Sequence, residues 1–150
     1  MLTCFGWANL LTTAYETDEA GEQRLVDSLE QYIAKQFGGW SSIEFKISRC
    51  LNWAGPCLTV MACFNHRQDA VIDLFRWLAA NGPGSYGLLY VHDDEDHRPD
   101  GDYENCFRVW RLVRGTLTEH DDPFLSPLIP TVEDPFDPDR PDDLRKPADA

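Results

Sequence analysis

The 150-residue sequence has no apolar run near the roughly 20 residues that a membrane-spanning helix needs. It also lacks a CxxC cysteine pair, a GxSxG nucleophile motif, a P-loop and a dinucleotide-binding fingerprint. Its five cysteines form an odd set with apolar neighbours, which favours buried, reduced thiols over a disulfide framework. The N-terminus has neither the basic region nor the cleavage site of a signal peptide. We therefore expect a cytoplasmic, non-membrane protein that is not an enzyme and that carries no metal or other cofactor.

Basic residues are scarce, since 13 Lys and Arg stand against 26 Asp and Glu, a net charge of −13. Residues 93–104 hold seven acidic residues and one basic residue, and residues 119–150 hold ten acidic and three basic residues. The rest of the chain is balanced. The sequence has no basic cluster to displace counterions from a phosphate backbone, which disfavours nucleic-acid binding. A basic protein surface is the partner that this charge distribution favours.

The hydrophobic pattern predicts one α+β domain. Apolar residues recurring every three or four positions predict two helices, one capped by Thr17 or Asp18 and one from about 68 to 80. The order β-α-β-β-α-β-β favours a ferredoxin-like core, with both helices on one face and a fifth strand added antiparallel beside the fourth, in the order 2-3-1-4-5. Five segments rich in β-forming residues predict the strands: 3–14, 42–50, 57–64, 85–92 and 105–115.

The last three predicted strands are apolar on both faces, whereas helices would cover only one. Seven of the ten prolines fall between residues 123 and 147, which excludes regular structure there. We expect a Pro-rich, extended C-terminal tail that covers the second face, including Trp110, so that residues 1–136 form one domain and residues 137–150 stay mobile. A solvated linker is the alternative. The side chains expected to be buried by the tail are Phe124, Leu125, Leu128, Ile129, Val132 and Phe136.

A family resemblance lies in the C-terminal half. The stretch "SYGLLYVHDDED", followed by "NCFRVWRLVRGTLTEHDDPFLSPLIPTVEDP", resembles the immunity protein 7 family of bacterial polymorphic toxin systems. The resemblance implies a small α+β protein that binds and neutralises a cognate toxin from the same locus. The residues that carry it are Trp110, Arg114, Gly115, Asp122, Pro123, Phe124, Leu125, Ser126, Pro127, Pro130, Glu133 and Asp134.

The acidic stretch 93–104 allows three interpretations. A calcium loop of the D-x-[DN]-x-[DN]-G-x5-E type fails at Arg98 and Phe107, where ligands are required. A solvated turn suits the acidic residues around Pro99 and Gly101. Together with the resemblance, the charge favours contact with a basic toxin surface, for which an exposed turn tryptophan is a typical anchor. The predicted toxin contacts are Asp93, Asp94, Glu95, Asp96, Asp100, Asp102, Glu104 and Trp53.

A second function class stays open on these observations. A non-catalytic adaptor or regulatory binding module of the same fold would use the acidic loop to dock some other basic protein. The turn tryptophans, Trp40 and Trp53, equally suit packing against the core rather than contact with a partner. The sequence names neither the toxin nor the oligomeric state.

Overall fold

The computed structural model describes residues 1–49 and 55–128, and within them the chain forms eight strands and two helices. It is a mixed α+β fold, as predicted. The bounds of the elements are β1 Leu2–Asn9, α1 Glu19–Phe37, β2 Ile43–Ser48, β3 Cys57–Phe64, α2 Ala70–Asn81, β4 Tyr86–Asp93, β5 His97–Arg98, β6 Gly101–Asp102, β7 Phe107–Val113 and β8 Thr116–Asp121.

Six of these strands form one sheet in the order β2-β3-β1-β4-β7-β8, and every neighbouring pair is antiparallel. The predicted neighbours are confirmed, because the predicted fifth strand is β7 and it lies beside β4. Strand β8 is an addition that the sequence analysis does not predict. Strands β5 and β6 pair with each other in a separate short hairpin.

A two-residue turn explains why β8 returns along β7. Val113 pairs with Thr116, so the loop consists of Arg114 and Gly115 alone. Both have positive φ angles, 49° and 71°, as a type I′ hairpin turn requires. The usual sequence signal for this turn is Asn-Gly or Asp-Gly. An Arg in the first position is therefore the reason that the hairpin is hard to recognise from sequence.

Helix α1 begins and ends where the sequence predicts. The Asp18 side chain accepts a hydrogen bond from the Gly21 amide at 2.9 Å and caps the first turn. The apolar stripe predicted for this helix is buried at Leu25, Leu29 and Phe37, and the helix ends before glycine. Its amphipathic face thus packs toward the sheet.

Helix α2 packs closely on the centre of the sheet. A Cβ atom at Gly6 of β1 would lie 2.8 Å from the Leu89 side chain and 3.1 Å from Phe75, so glycine lets Phe75 reach the strand. Phe75 is fully buried. The predicted stripe is confirmed, since Val71, Leu74, Phe75 and Leu78 are all buried.

Alternation along the strands gives the sheet two different faces. The covered face carries the buried residues that pack with both helices, as when Phe45 of β2 meets Phe37 of α1 with ring centroids 5.0 Å apart. The open face is formed by the intervening residues. Its exposed large side chains include Phe5 at 46%, Trp7 at 37% and Met61 at 53% exposure.

The expected cover of the open face by the tail is wrong for the part of the tail that the structure describes. Phe124, Leu125 and Leu128 are 80%, 56% and 43% exposed. The physical reason is a tight turn at Asp122, which holds this segment beside the start of β7 instead of sending it across the sheet. Ile129, Val132, Phe136 and the segment 137–150 lie outside the described residues.

Trp110 also lies on the face opposite to the one predicted. It pairs in register with Leu89, whose side chain is buried under the helices, and the Arg76 guanidinium of α2 lies 5.5 Å from the Trp110 ring centroid. Val109 therefore takes the open face. The predicted parity is wrong because β7 is apolar at both positions, so the sequence pattern does not distinguish the two faces.

Candidate functional site

The acidic loop, residues 93–104, is an ordered hairpin between β4 and β7. His97 pairs with Asp102 and Arg98 pairs with Gly101 across its tip. The Tyr103 amide donates to the Asp96 carbonyl at 2.9 Å and closes its base. The loop is thus shaped by backbone pairing.

Two of the predicted contact residues, Asp93 and Asp96, point inward. Their side chains are only 1% and 6% exposed. Arg67, from the connection between β3 and α2, donates to Asp93 at 3.4 Å, and Arg98 holds Asp96 through two hydrogen bonds of 2.7 and 2.6 Å. Two parallel hydrogen bonds of this kind fix the carboxylate in orientation as well as in charge.

Arg98 continues the network to β8 and β7. It donates to Glu119 at 3.0 and 2.8 Å, and Arg108 donates to the same carboxylate at 3.0 Å while also pairing with Asp121. Both guanidinium groups lie over the Tyr103 ring, at 5.0 and 4.4 Å from its centroid. We call Asp93, Asp96 and Glu119 the inner carboxylates, because each is paired with arginine under the loop.

The network shifts the acidity of its members. Burial opposes ionisation of Asp96 and Glu119, but the hydrogen bonds from arginine outweigh it, so the pKa of each carboxyl lies below its usual range. The hydrogen bonds that Arg98 donates to Asp96 and Glu119 likewise raise the pKa of Arg98. Asp96 and Glu119 therefore stay ionised and serve the loop's own structure.

The remaining predicted acidic contacts are exposed, and we call these five residues the outer carboxylates. The Asp94 side chain is 49% exposed and pairs with the N-terminal amine, whose hydrogen bond lowers the pKa of Asp94. The two sets are not separable from the sequence, since both lie within one acidic run and only contacts with arginine distinguish them. The outer carboxylates are Asp94, Glu95, Asp100, Asp102 and Glu104.

His97 gathers two of the outer carboxylates at the hairpin tip. Its Nδ1 lies 3.1 Å from Asp102, and its Nε2 lies 3.9 Å from Glu104. Among the described residues, these three side chains form the group whose atoms are close enough to share a metal ion. All three are exposed, and the contacts of the His97 ring with the two carboxylates explain their approach without an ion. The expectation of no metal stays a prediction.

The family motif after β8 has a structural role. The buried Asp122 accepts hydrogen bonds from the Phe124 and Leu125 amides at 3.2 and 2.6 Å, and Ser126 Oγ accepts from the Phe107 amide at 2.8 Å. The segment is thereby fastened to the start of β7. Pro123 is exposed and Pro127 follows a cis peptide bond, whereas Pro130, Glu133 and Asp134 lie outside the described residues.

The tryptophans of the turns are only partly described. Trp40 packs edge-on against Phe37 at 5.4 Å and Phe64 at 5.8 Å, and it remains 39% exposed. Trp40 therefore packs on the core, which was the alternative to contact with a partner. Trp53, the predicted interface anchor, lies outside the described residues.

The open face is a second candidate surface that the sequence analysis missed. Phe5 lies in register between Met61 of β3 and Tyr90 of β4, and Trp7 lies between Thr59 and Leu88. The sequence of β1 carries a signal for this face. Phe5 and Trp7 occupy odd-numbered positions, whereas the buried residues around them occupy even-numbered positions. A groove of about 480 Å³ lies along the open face and is lined by residues that include Phe5, Met61 and Glu44.

These observations define an α+β protein that offers two exposed surfaces, an acidic loop and an apolar sheet face. Within residues 1–49 and 55–128, neither helix combines the length and apolar content needed to cross a membrane. The family model of Immunity protein 7 matches residues 1–134, so the chain belongs to the Immunity protein 7 family. The predicted resemblance is confirmed, and membership implies a toxin as binding partner. No curated protein and no solved structure matches the chain.

Proposed function

We propose that this protein neutralises a cognate bacterial polymorphic toxin by covering a basic active-site or substrate-binding surface of the toxin with the outer carboxylates. Family membership supports the toxin as partner. The observation that carries the choice of surface is the division of one loop into inner carboxylates that arginines neutralise and outer carboxylates that remain exposed. Within the outer set, Asp94 also pairs with the N-terminal amine, and the other four exposed carboxylates have no arginine partner among the described residues, so their charge is available to another molecule.

The inner ion pairs suit the loop to this task. Arg98 joins Asp96 of the loop to Glu119 of β8, so the hairpin is tied to the sheet before any partner arrives. A surface that is already ordered loses little conformational entropy on binding. Exposed like charges also attract a basic partner over distances near the Debye length and speed the encounter at low salt.

We further propose the domain organisation of the protein and the compartment in which it acts. The strands β2-β3-β1-β4 and the two helices form a ferredoxin-like core, and the hairpin of β7 and β8 extends the same sheet at one edge. Residues 1–136 act as one non-catalytic domain in the cytoplasm, without a cofactor, and residues 137–150 are a separate acidic extension.

Growth rescue tests the proposed function. The toxic C-terminal domain encoded beside this gene is expressed in a bacterial host with and without the full chain. We expect growth arrest with the toxin alone and restored growth with both proteins. Arrest that persists when both proteins are present and soluble contradicts neutralisation, and it would turn attention to the adaptor alternative.

A charge-removal variant tests the loop. Glu95→Gln, Asp100→Asn and Glu104→Gln together remove three outer carboxylates and leave the inner ion pairs intact. Because exposed ion pairs contribute about 0.2 to 1 kcal/mol each, we expect roughly tenfold weaker toxin binding and a smaller salt dependence by isothermal titration calorimetry. The matched control removes the same charge from exposed positions of α1: Glu19→Gln, Asp27→Asn and Glu30→Gln. Equal effects in both triple variants would assign the loss to net charge alone.

A further inference from the structure

We propose that the open face of the sheet is the main toxin-docking surface and that the outer carboxylates form its rim. The inference rests on the proposed function and specifies which part of the molecule the toxin covers. The occupant is a toxin surface with an apolar centre and basic residues at one side. Phe5, Trp7 and Tyr90 would meet the centre, and Asp94 and Glu104 would meet the basic side.

The composition of the open face is unusual for a sheet surface. An antiparallel sheet that faces water on one side ordinarily places polar residues there. Here Phe5, Trp7 and Met61 lie on adjacent strands and keep 46%, 37% and 53% of their surface exposed. A contiguous exposed patch of this kind marks an interaction site in soluble proteins.

The residue types in the patch are those of protein interfaces. Trp, Tyr, Phe and Met are enriched at the centres of protein interfaces, whereas Lys and Glu are depleted there. On the open face Trp7 and Tyr86 contact edge-on with ring centroids 6.1 Å apart. The charged residues Glu44 and Lys46 lie on β2 and Arg111 lies on β7, to either side of the central strands β3, β1 and β4, so the patch has an apolar centre with charge toward its margins.

The open face is continuous with the acidic loop. His92 is the last open-face residue of β4, and its Nε2 donates to the Glu104 carbonyl at 2.8 Å. Asp94 follows with the same parity and donates its amide to the Met1 carbonyl at 3.2 Å. The outer carboxylates therefore begin where the open face ends, and one partner can contact both.

Charge complementarity favours the toxin as the occupant of the open face over a second copy of the chain and over the chain's own tail. A second copy of the chain would bring a net charge of −13 against the same charge, with acidic rims facing each other. The chain's own segment 129–136 carries Glu133 and Asp134 and no basic residue, so it also lacks a charge that matches the rim. A basic toxin surface complements the rim and the apolar centre together.

The main test measures toxin binding by the full chain carrying Met61→Lys. Met61 is more than half exposed, so the variant retains the fold, which thermal unfolding verifies. We expect at least tenfold weaker binding to the catalytically disabled toxin domain encoded beside this gene, and recovery in Met61→Leu. The matched control, Gln31→Lys on the outer surface of α1, adds the same charge and should bind like the wild type.

The outcomes separate this inference from the proposed function. Absence of binding by the wild-type chain overturns both. Wild-type binding that Met61→Lys leaves unchanged, while the triple loop variant weakens it, overturns the docking face and keeps the acidic loop.

A protection experiment identifies the occupant. Cys63 is exposed and pairs in register with Thr3 of the open face, so its alkylation by iodoacetamide, mapped by peptide mass spectrometry, reports on access. We expect the toxin to slow alkylation of Cys63 severalfold. Faster alkylation in the free Val132→Asp full chain would show that the tail covers this face. A concentration-dependent dimer that Met61→Lys dissociates would show a second copy there. Either result overturns the proposal.

Discussion

Each strand of the sheet contributes residues to two different faces. Residues on the covered face stabilise the fold, and residues on the open face are available for contact. Along β4, Leu89 is fully buried under the helices, whereas Tyr90 on the next position lies on the open face. The alternation continues into the acidic loop, since Asp93 is buried against Arg67 and Asp94 is exposed. A period of two thus sorts the side chains as far as Asp94, whereas Asp96 beyond it is buried because it pairs with Arg98. Neighbouring residues of similar chemistry consequently have different roles.

The largest expected contrast between the faces is in packing. Leu89→Ala removes a fully buried side chain from the covered face, and we expect it to lower the free energy of unfolding by about 2 to 5 kcal/mol. Met61→Ala on the open face should change it by about 0.5 kcal/mol or less. Urea denaturation of both variants measures the difference. Equal losses would mean that the open face is covered in solution.

A smaller contrast concerns the two sets of carboxylates. Arg98→Met leaves Asp96 and Glu119 without their shared guanidinium, and we expect a loss of about 2 kcal/mol, less than for a fully buried pair because Arg98 is 24% exposed. Arg24→Met, at an exposed position of α1, is the control and should be nearly neutral. The same urea experiment applies. An unchanged midpoint for Arg98→Met would show that the network does not hold the loop.

The turn between β7 and β8 fixes the register of this hairpin, and the register decides which side chains lie on each face of the sheet. Gly115 has a φ angle of 71°, and an L side chain in that left-handed region adds roughly 1 kcal/mol of strain. We expect Gly115→Ala to lower the thermal midpoint, whereas Arg114→Gly, at a φ of 49°, should leave it unchanged or raise it. A lowered midpoint in both variants would argue that contacts of the Arg114 side chain, and not the turn geometry, matter here.

The smallest expected effect is in the pH dependence of stability. The pKa values of Asp96 and Glu119 lie below their usual ranges, so these carboxylates stabilise the fold when ionised. Their contribution is present above the ordinary values near 4 and is lost as pH falls through the lower, folded values. Asp96→Asn should therefore flatten the decline in stability between pH 7 and pH 3. Denaturation curves that fall in parallel for both proteins would contradict this assignment.

The helices and the buried strand β3 were predictable because their patterns are local. The Asp18 cap and the stripe of α1 depend on positions three and four apart, and β3 matches its predicted range at both ends. The helix α2 begins at Ala70, two residues later than predicted, since Asp69 takes the cap position. These features need no information from distant parts of the chain.

The acidic loop shows where local prediction ends. Its charge and its position between two strands follow from composition and pattern. Which carboxylates remain available depends on Arg67, which lies outside the loop and pairs with Asp93 and Asp96 only after the sheet has formed. The same holds for the tail, where the turn at Asp122 leaves Phe124 exposed against expectation.

By itself, the sequence determined the α+β class, the two helices, the neighbours in the sheet and the location of the excess negative charge. These follow from periodicity, capping and composition, which act over a few residues. Only the tertiary structure decided that β8 forms the edge of the sheet beside β7, that Trp110 lies under α2 and that Asp93 and Asp96 pair with arginine. Each depends on contacts between residues far apart in the chain, and such contacts exist only once the strands have paired in register.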